Sequence, residues 1–201
     1  MASELQIIEK PDWVSWDAIH EMLWASHEQN RQAGIYMKYP SLPGDEIRKR
    51  IEGHGKMFVA ILDGKLVGSS SVKVKKMDLW CGKGDYAYEC FASVLPGYSG
   101  HGIYRRLYEA VEQEGARMGL RRFVFDSHEN NRRIADIHIK AGYVPVSYKQ
   151  YGDHNSIVFV KWLDGCPYSD FRCKVQYLLK KTEIKTRQKL HALRRKISSN
   201  L

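Results

Sequence analysis

No apolar run in the sequence approaches the ~20 residues that cross a bilayer. The first residues, Met1-Ala2-Ser3-Glu4-Leu5, carry neither the basic n-region nor the apolar h-region of a secretion signal. Together these absences point to a cytoplasmic protein. Paired cysteines are missing too. Cys81, Cys90, Cys166 and Cys173 form no CxxC and have no histidine at ligand spacing, which argues against zinc and against a disulfide framework. The cysteines read as buried or free thiols, and no metal site is expected. No internal repeat is present. Most of the chain also lacks a charge excess. From Asp170 to the end there are ten Lys/Arg against two acids, Asp170 and Glu183, a balance of +8. The remaining 22 Lys/Arg and 21 acids leave +1 of the total +9. The basic character belongs to the tail.

What is present suits one full-sized domain with an appendage: 201 residues, 43% hydrophobic and 27% charged. We divide it into a domain over 1–165 and a basic amphipathic helical extension over 166–201.

Leu5–Glu9 reads as a first strand. Asp12 or Ser15 can cap a helix running through Trp16, Ile19, Met22, Leu23 and His27. A loop rich in Gly, Pro and aromatics spans Gly34–Gly44, and Asp45 caps a short helix through Ile51. Strands Met57–Leu62 and Leu66–Val74 flank Asp63-Gly64, a strong hairpin signal. After a turn at Cys81–Asp85, the nearly unbroken apolar run Tyr86–Leu95 reads as a central strand. A helix from about Gly100 to Met118 stops at Gly119. A strand at Arg122–Phe125, a helix from Asn131 closed by Gly142, and strands at Tyr143–Tyr148 and Ser156–Trp162 complete the domain. The pattern is mixed α/β with one β-α-β crossover.

Pro96 ends the central strand, and Gly97-Tyr98-Ser99-Gly100-His101-Gly102 precedes the crossover helix. The first amides of a helix have no partner inside it and face outward with the positive end of its dipole, which suits an anion. Glycines let a phosphate approach the backbone and permit positive φ. The spacing fits a dinucleotide fingerprint poorly.

The run Val94-Leu95-Pro96-Gly97-Tyr98-Ser99-Gly100-His101-Gly102-Ile103 resembles the acetyl-CoA motif of the GNAT superfamily of N-acetyltransferases: a strand ending in V-x-P, then (Gln/Arg)-x-x-Gly-x-(Gly/Ala). Asn131, Ile137, His138 and Gly142-Tyr143 resemble that family's second signature, N-x-x-A-x-x-L-Y-x-x-x-G-F. The resemblance covers roughly Leu5–Leu163. Three positions depart from it. Gly97 stands where Gln or Arg is usual, Ser99 where Arg is usual, and His138 where Tyr is usual; Arg105 and Arg106 are candidates to restore the lost charge.

The resemblance implies a mostly antiparallel central sheet of six to seven strands flanked by helices, with acetyl-CoA as co-substrate and direct transfer in a ternary complex. It assigns coenzyme contacts to Ala92, Ser93, Val94, Gly97, Tyr98, Ser99, Gly100, His101, Gly102, Ile103 and Asn131. It makes Glu89 the candidate general base and His138 the candidate acid for the departing thiolate. Cys90 is read as core packing. By analogy, Tyr36, Tyr39, Asp153 and His154 are placed toward the acceptor, expected to be a small-molecule amine such as an amino sugar. A competing expectation is an acetyl-CoA-binding sensor or platform without transfer activity.

Beyond the resemblance, the tail places Phe171, Val175, Leu178, Thr182, Thr186, Leu190, Leu193 and Ile197 at steps of three and four on a basic helix. Its favoured reading packs this stripe on the domain or on a second subunit as a homodimer. Attachment to an anionic membrane surface, making the protein peripheral, comes second. Nucleic acid comes third, since Phe171 and Tyr177 offer little for base stacking.

Overall fold

Asp63 and Gly64 both take left-handed backbone, with φ of 50° and 77°. A two-residue hairpin turn needs that at both positions, and its twist matches the strands it joins. It links β2 (Gly55–Leu62) to β3 (Lys65–Leu79), paired antiparallel from Leu62↔Lys65 to Gly55↔Lys73 with a bulge at Ala60/Ile61. The first strand, β1 (Leu5–Glu9), pairs antiparallel with β2.

The computed structural model describes residues 4–35, 39–151 and 154–198. The remaining elements are β4 (Gly82–Val94), β5 (Arg122–His128), β6 (Val144–Tyr151) and β7 (His154–Trp162), with helices α1 (Trp16–Ser26), α2 (Glu28–Gln32), α3 (Gly44–Ile51), α4 (Ile103–Arg117), α5 (Arg132–Lys140) and α6 (Asp170–Ser198). The sheet has seven strands in the order β1-β2-β3-β4-β5-β7-β6. β4 and β5 are parallel, at Ala87↔Phe123 and Tyr88↔Val124, whereas β6 and β7 are antiparallel. The architecture is thus the mixed, mostly antiparallel α/β sheet expected from the sequence, followed by a helical tail.

Two compact units divide the chain, Met1–Asp78 with Gly82–Phe125, and Leu79–Cys81 with Asp126–Leu201. In the first, alternation along β2 sends Met57, Val59 and Ile61 to a core shared with Ile19 and Leu23 of α1, Ile47 and Ile51 of α3, and Phe91 of β4. Ala60 of β2 points the other way, into a cluster with Val67, Ile103 and Leu107 that seats α4. Ser15 caps α1 by accepting from the amide of Ala18 at 3.0 Å.

Several local expectations are corrected. Helix α3 begins at Gly44 with Pro43 at the N-cap, and Asp45 lies inside its first turn. Asp45 faces the helix dipole there and does not cap. The segment Cys81–Asp85 is largely strand, because β4 already begins at Gly82. Arg122 explains this: its guanidinium stacks on Tyr86 at 4.2 Å and donates to the carbonyls of Lys83 and Asp85 at 3.3 Å. A Cβ on Gly82 would lie 2.5 Å from that guanidinium, and Gly82 and Gly84 have φ of 146° and 128°, so glycine alone suits both positions.

In the second unit α6 packs on β6. Its inner face is Cys173, Tyr177, Lys181, Ile184, Lys185 and Gln188. Glu129, just past β5, anchors it. The carboxylate accepts from the Tyr148 hydroxyl, from Asn155 Nδ2 at 2.8 Å and from Lys185 Nζ at 2.9 Å, and Gln188 donates to Asn155 at 3.0 Å. Of the apolar stripe read as packing on the domain or on a second subunit, Phe171, Leu178, Leu190 and Leu193 are turned away from β6 and exposed, so it does not pack on the domain. Polar partners at Glu129 and Asn155 decide which face docks, and periodicity alone could not supply them.

Burial opposes the charge on Glu129, but the bonds from Tyr148, Asn155 and Lys185 prevail and hold its pKa at about 2, below the ordinary 4.5. A folded-state pKa depressed below the unfolded one contributes stability above pH ~4.5 that is lost as pH falls toward ~2. Glu129→Gln should therefore cost on the order of 2–3 kcal/mol at pH 7 and close to nothing near pH 2. Denaturant melts of both proteins across that range measure it, and a cost independent of pH would contradict it.

Candidate functional site

Beyond Val94, the Leu95 amide donates to Val67 O at 2.9 Å and keeps the chain in register with β3. A tight 3-10 turn, Pro96–Tyr98, follows. Gly100 and Gly102 both have left-handed backbone, with φ of 86° and 72°, and α4 starts at Ile103, three residues later than expected. The first helical bond runs from the Arg106 amide to Gly102 O at 3.1 Å. The amides at the start of α4 precede this bond, where a helix supplies no internal acceptors. A Cβ built at Gly97, Gly100 or Gly102 would meet nothing within 4 Å. The loop is open ahead of a fifteen-residue helix, an arrangement that suits an anion. His101 Nδ1 donates to Ser99 O at 3.0 Å, which helps to fix the turn. Arg105 lies 3.7 Å from Glu109, and Arg106 donates to Leu5 O at 3.4 Å, so both run along the outer surface of α4 and toward β1.

Phe91 interrupts β4. It is buried, yet its φ is +53°, a conformation that bulky residues rarely adopt and that costs on the order of 1–3 kcal/mol. Three consecutive buried serines of β3 support it. Ser69 Oγ donates to Phe91 O at 2.8 Å, Ser71 Oγ to Cys90 O at 2.7 Å, and Ser70 Oγ to Glu89 Oε1 at 3.0 Å. Glu89 is 5% exposed. Sequence reasoning missed these serines, though the signal was available: buried hydroxyls need partners, and three in a row on a strand imply polar work on its neighbour.

A second missed group lies beside them. Asn30 Nδ2 donates to His27 Nδ1 at 2.8 Å, so the neutral imidazole carries its proton on Nε2 and gives it to Tyr39 Oη at 2.9 Å. The Tyr39 hydroxyl in turn donates to Ala92 O at 3.4 Å, with its ring edge-on to Phe91 at 5.7 Å. Tyr39 is therefore brought to the end of β4. Ser93 donates to the Ser26 hydroxyl from the same strand end. Burial, with help from the Arg31 charge, lowers the His27 pKa to about 4. Because the unfolded histidine takes up its proton first, stability is lost as pH falls from ~6.5 to ~4. His27→Gln should remove that loss, and denaturant midpoints of variant and wild type should diverge in slope over this window only. Burial also pushes the Tyr104 phenol well above its ordinary pKa, with Glu89, Tyr39 and Tyr108 adding to it. These groups thus form one cluster within charge-interaction range.

The second unit holds the other predicted residues. Asn131 occupies the N-cap of α5, 9% exposed, but its side chain makes no capping bond. His138 is 0% exposed, edge-on to Tyr143 at 5.0 Å, with Nδ1 donating to Ile134 O at 3.0 Å. His154 stacks between His128 at 5.4 Å and Tyr151 at 5.8 Å. His128, another residue missed in the sequence, accepts the Asn130 amide on Nδ1 at 3.1 Å. Burial and the nearby Asp126 push the Tyr151 phenol up to about 12. Tyr36 and Asp153 lie outside the described residues. Among the described residues no group of three His, Cys, Asp or Glu is placed to hold a metal ion.

Residues 16–143 match the model of the acetyltransferase (GNAT) family. No curated protein matches. Solved structures of similar fold include an acetyltransferase from Streptococcus agalactiae, with TM-score 0.62 and 20% identity over 79% of this chain and 98% of that one. The ribosomal-protein-S18-alanine N-acetyltransferase from Escherichia coli has TM-score 0.59 and 12% identity, over 80% of this chain and 94% of its own. The PaiA N-acetyltransferase from Thermoplasma acidophilum, solved in complex with coenzyme A, has TM-score 0.56 and 15% identity, over 79% and 99%.

Proposed function

Since this chain belongs to the GNAT family of acetyltransferases, we propose that it moves the acetyl group of acetyl-CoA directly to the amine of a small molecule, an amino sugar first, with Glu89 as general base. The proposal takes residues 1–165 as the transferase domain. Acetyl-CoA supplies an activated thioester; the protein supplies position, a proton acceptor and backbone donors.

The observation that carries this reading is the arrangement along β4. The glycine cradle follows its end, and Glu89, shut in and hydrogen-bonded by Ser70, stands on the other side of the Phe91 kink. From Glu89 to Val94 the strand rises ~17 Å, the scale of an extended pantetheine arm. In this reading the amides of Ile103, Tyr104 and Arg105 receive the diphosphate, joined by contacts from Gly97, Tyr98, Ser99, Gly100, His101 and Gly102. Backbone groups of Ala92, Ser93 and Val94 pair with the pantetheine. Glu89 takes the proton that the amine loses as its nitrogen bonds the acetyl carbon and the carbon–sulfur bond breaks. A kink supported by three hydroxyls suits this role, because it turns β4 groups out of the ladder without loosening the strand.

Asn131 as a pantetheine contact, and His138 as the proton source for the departing sulfur, are taken from the family resemblance. His138→Gln should lower kcat at least tenfold with acetyl-CoA affinity unchanged; an unchanged kcat would remove His138 from the mechanism. Tyr39 and His154 suit a hydroxyl-rich acceptor. The nearly neutral body of the chain gives no sign of the acidic pocket a polyamine would want.

Thiol release from acetyl-CoA, measured against amino sugars, polyamines and peptides with free N-termini, tests the acceptor. Amino sugars should give the highest kcat/KM. Turnover confined to peptides would overturn the small-molecule assignment. Thermal stabilisation by acetyl-CoA with no amine acetylated would overturn transfer.

A further inference from the structure

Helix α6 has two faces with different occupants. At 100° per residue, Cys173, Tyr177, Lys181, Ile184 and Gln188 share the face that packs on β6. Phe171, Leu178, Leu179, Leu190 and Leu193 gather on the opposite side, where they are 76%, 54%, 60%, 52% and 56% exposed. This stripe runs ~33 Å along the helix. Single exposed leucines need no explanation, but two exposed apolar groups on one helix face do, Phe171 with Leu178 and Leu179 and then Leu190 with Leu193, with Thr182 and Thr186 between them.

The charges around the stripe identify what covers it. Exposed Lys174 borders it on one side and exposed Arg187 and Lys180 on the other, and exposed Lys189 lies within it. Glu183, the helix's acid beyond its first residue, is bridged by Lys180 at 2.8 Å and Arg187 at 2.7 Å, so it offers little negative charge to a partner. A second copy is disfavoured, because two helices carrying ten Lys/Arg against two acids would meet like to like. Nucleic acid would satisfy the basic borders but leave the leucines wet, and Phe171 is the one aromatic of the stripe. An anionic lipid surface satisfies both: acyl chains receive the apolar row, and lysines reach the headgroups from either side. No helix among the described residues is long and apolar enough to cross a membrane, so contact of this kind lies in the surface plane.

We propose that the outward face of α6 docks the protein on an anionic phospholipid surface. The anchor at Glu129 through Lys185 holds the helix by its other face, so docking needs no rearrangement of the second unit.

Co-sedimentation of the full chain tests this, using vesicles of phosphatidylcholine alone and of phosphatidylcholine with phosphatidylglycerol at three to one. The protein should pellet with the mixed vesicles, bind the neutral ones at least tenfold more weakly, and be released by high salt. The double variant Leu179→Glu/Leu190→Glu alters exposed positions only. It should keep the wild-type melting temperature and acetyltransfer while losing vesicle binding. Absence of binding to anionic vesicles, or equal binding by the double variant, would overturn the proposal. So would salt-sensitive binding to duplex DNA without vesicle binding, or a dimer that the double variant abolishes.

Discussion

Glu89→Gln is expected to lower kcat by roughly a hundred- to ten-thousandfold while acetyl-CoA affinity stays within about twofold. The amide keeps the shape of the carboxylate and can still accept from Ser70, whose hydroxyl lies 3.0 Å from Oε1, so the Phe91 kink and the core beneath it should persist. What disappears is the capacity to take a proton. The loss should therefore fall on kcat and on the pH dependence of kcat/KM, with coenzyme binding untouched. Ser70→Ala tests the support separately. It removes one hydrogen bond to the carboxylate and should lower kcat several-fold without abolishing turnover. A Glu89→Gln enzyme that retained the wild-type limb and rate would place the base elsewhere.

Gly102→Val should weaken acetyl-CoA binding by roughly ten- to a hundredfold, about the worth of one charge-assisted hydrogen bond. Two effects combine. The position has φ +72°, which a β-branched residue resists, and the new side chain would fill the open approach to the first amides of α4. Gly97 is the contrast. Its Cβ would also meet nothing within 4 Å, but its φ is not in the left-handed region. Gly97→Arg, which restores a residue usual in the family, should therefore strengthen coenzyme binding several-fold. Titration of acetyl-CoA by calorimetry on the two variants measures both changes. Equal affinities would mean that the loop does not carry the diphosphate.

The elements legible in the sequence are those whose cause is local. β1 was read at its observed ends, and Asp63-Gly64 announced its hairpin because few other residues tolerate that backbone. Gly119 and Gly142 marked their helix ends for the same reason, with φ of 78° and 92°. The glycine turn was legible as an anion site, but its detail was not. With two left-handed residues in it, the turn runs longer than a simple helix entry, and α4 begins late. What stayed hidden depends on partners distant in sequence. Arg122 turns Gly82–Asp85 into strand through the carbonyl of Lys83, 39 residues before it. Ser69, Ser70 and Ser71 acquire meaning only once β3 lies against β4. His27 reads as the end of an amphipathic helix until Tyr39 and Asn30 close around it. The tail is the sharpest case. Its periodicity was legible, but which face meets the domain was not, because Glu129, Asn155 and Tyr148 hold the other side of α6.

The glycine cradle is the centre of the proposed coenzyme site, and backbone amide shifts during a coenzyme A titration test it most directly. The amides of Gly100, Gly102, Ile103, Tyr104 and Arg105 should move together and saturate with the ligand. Saturating shifts elsewhere in the chain, with these five unchanged, would contradict it.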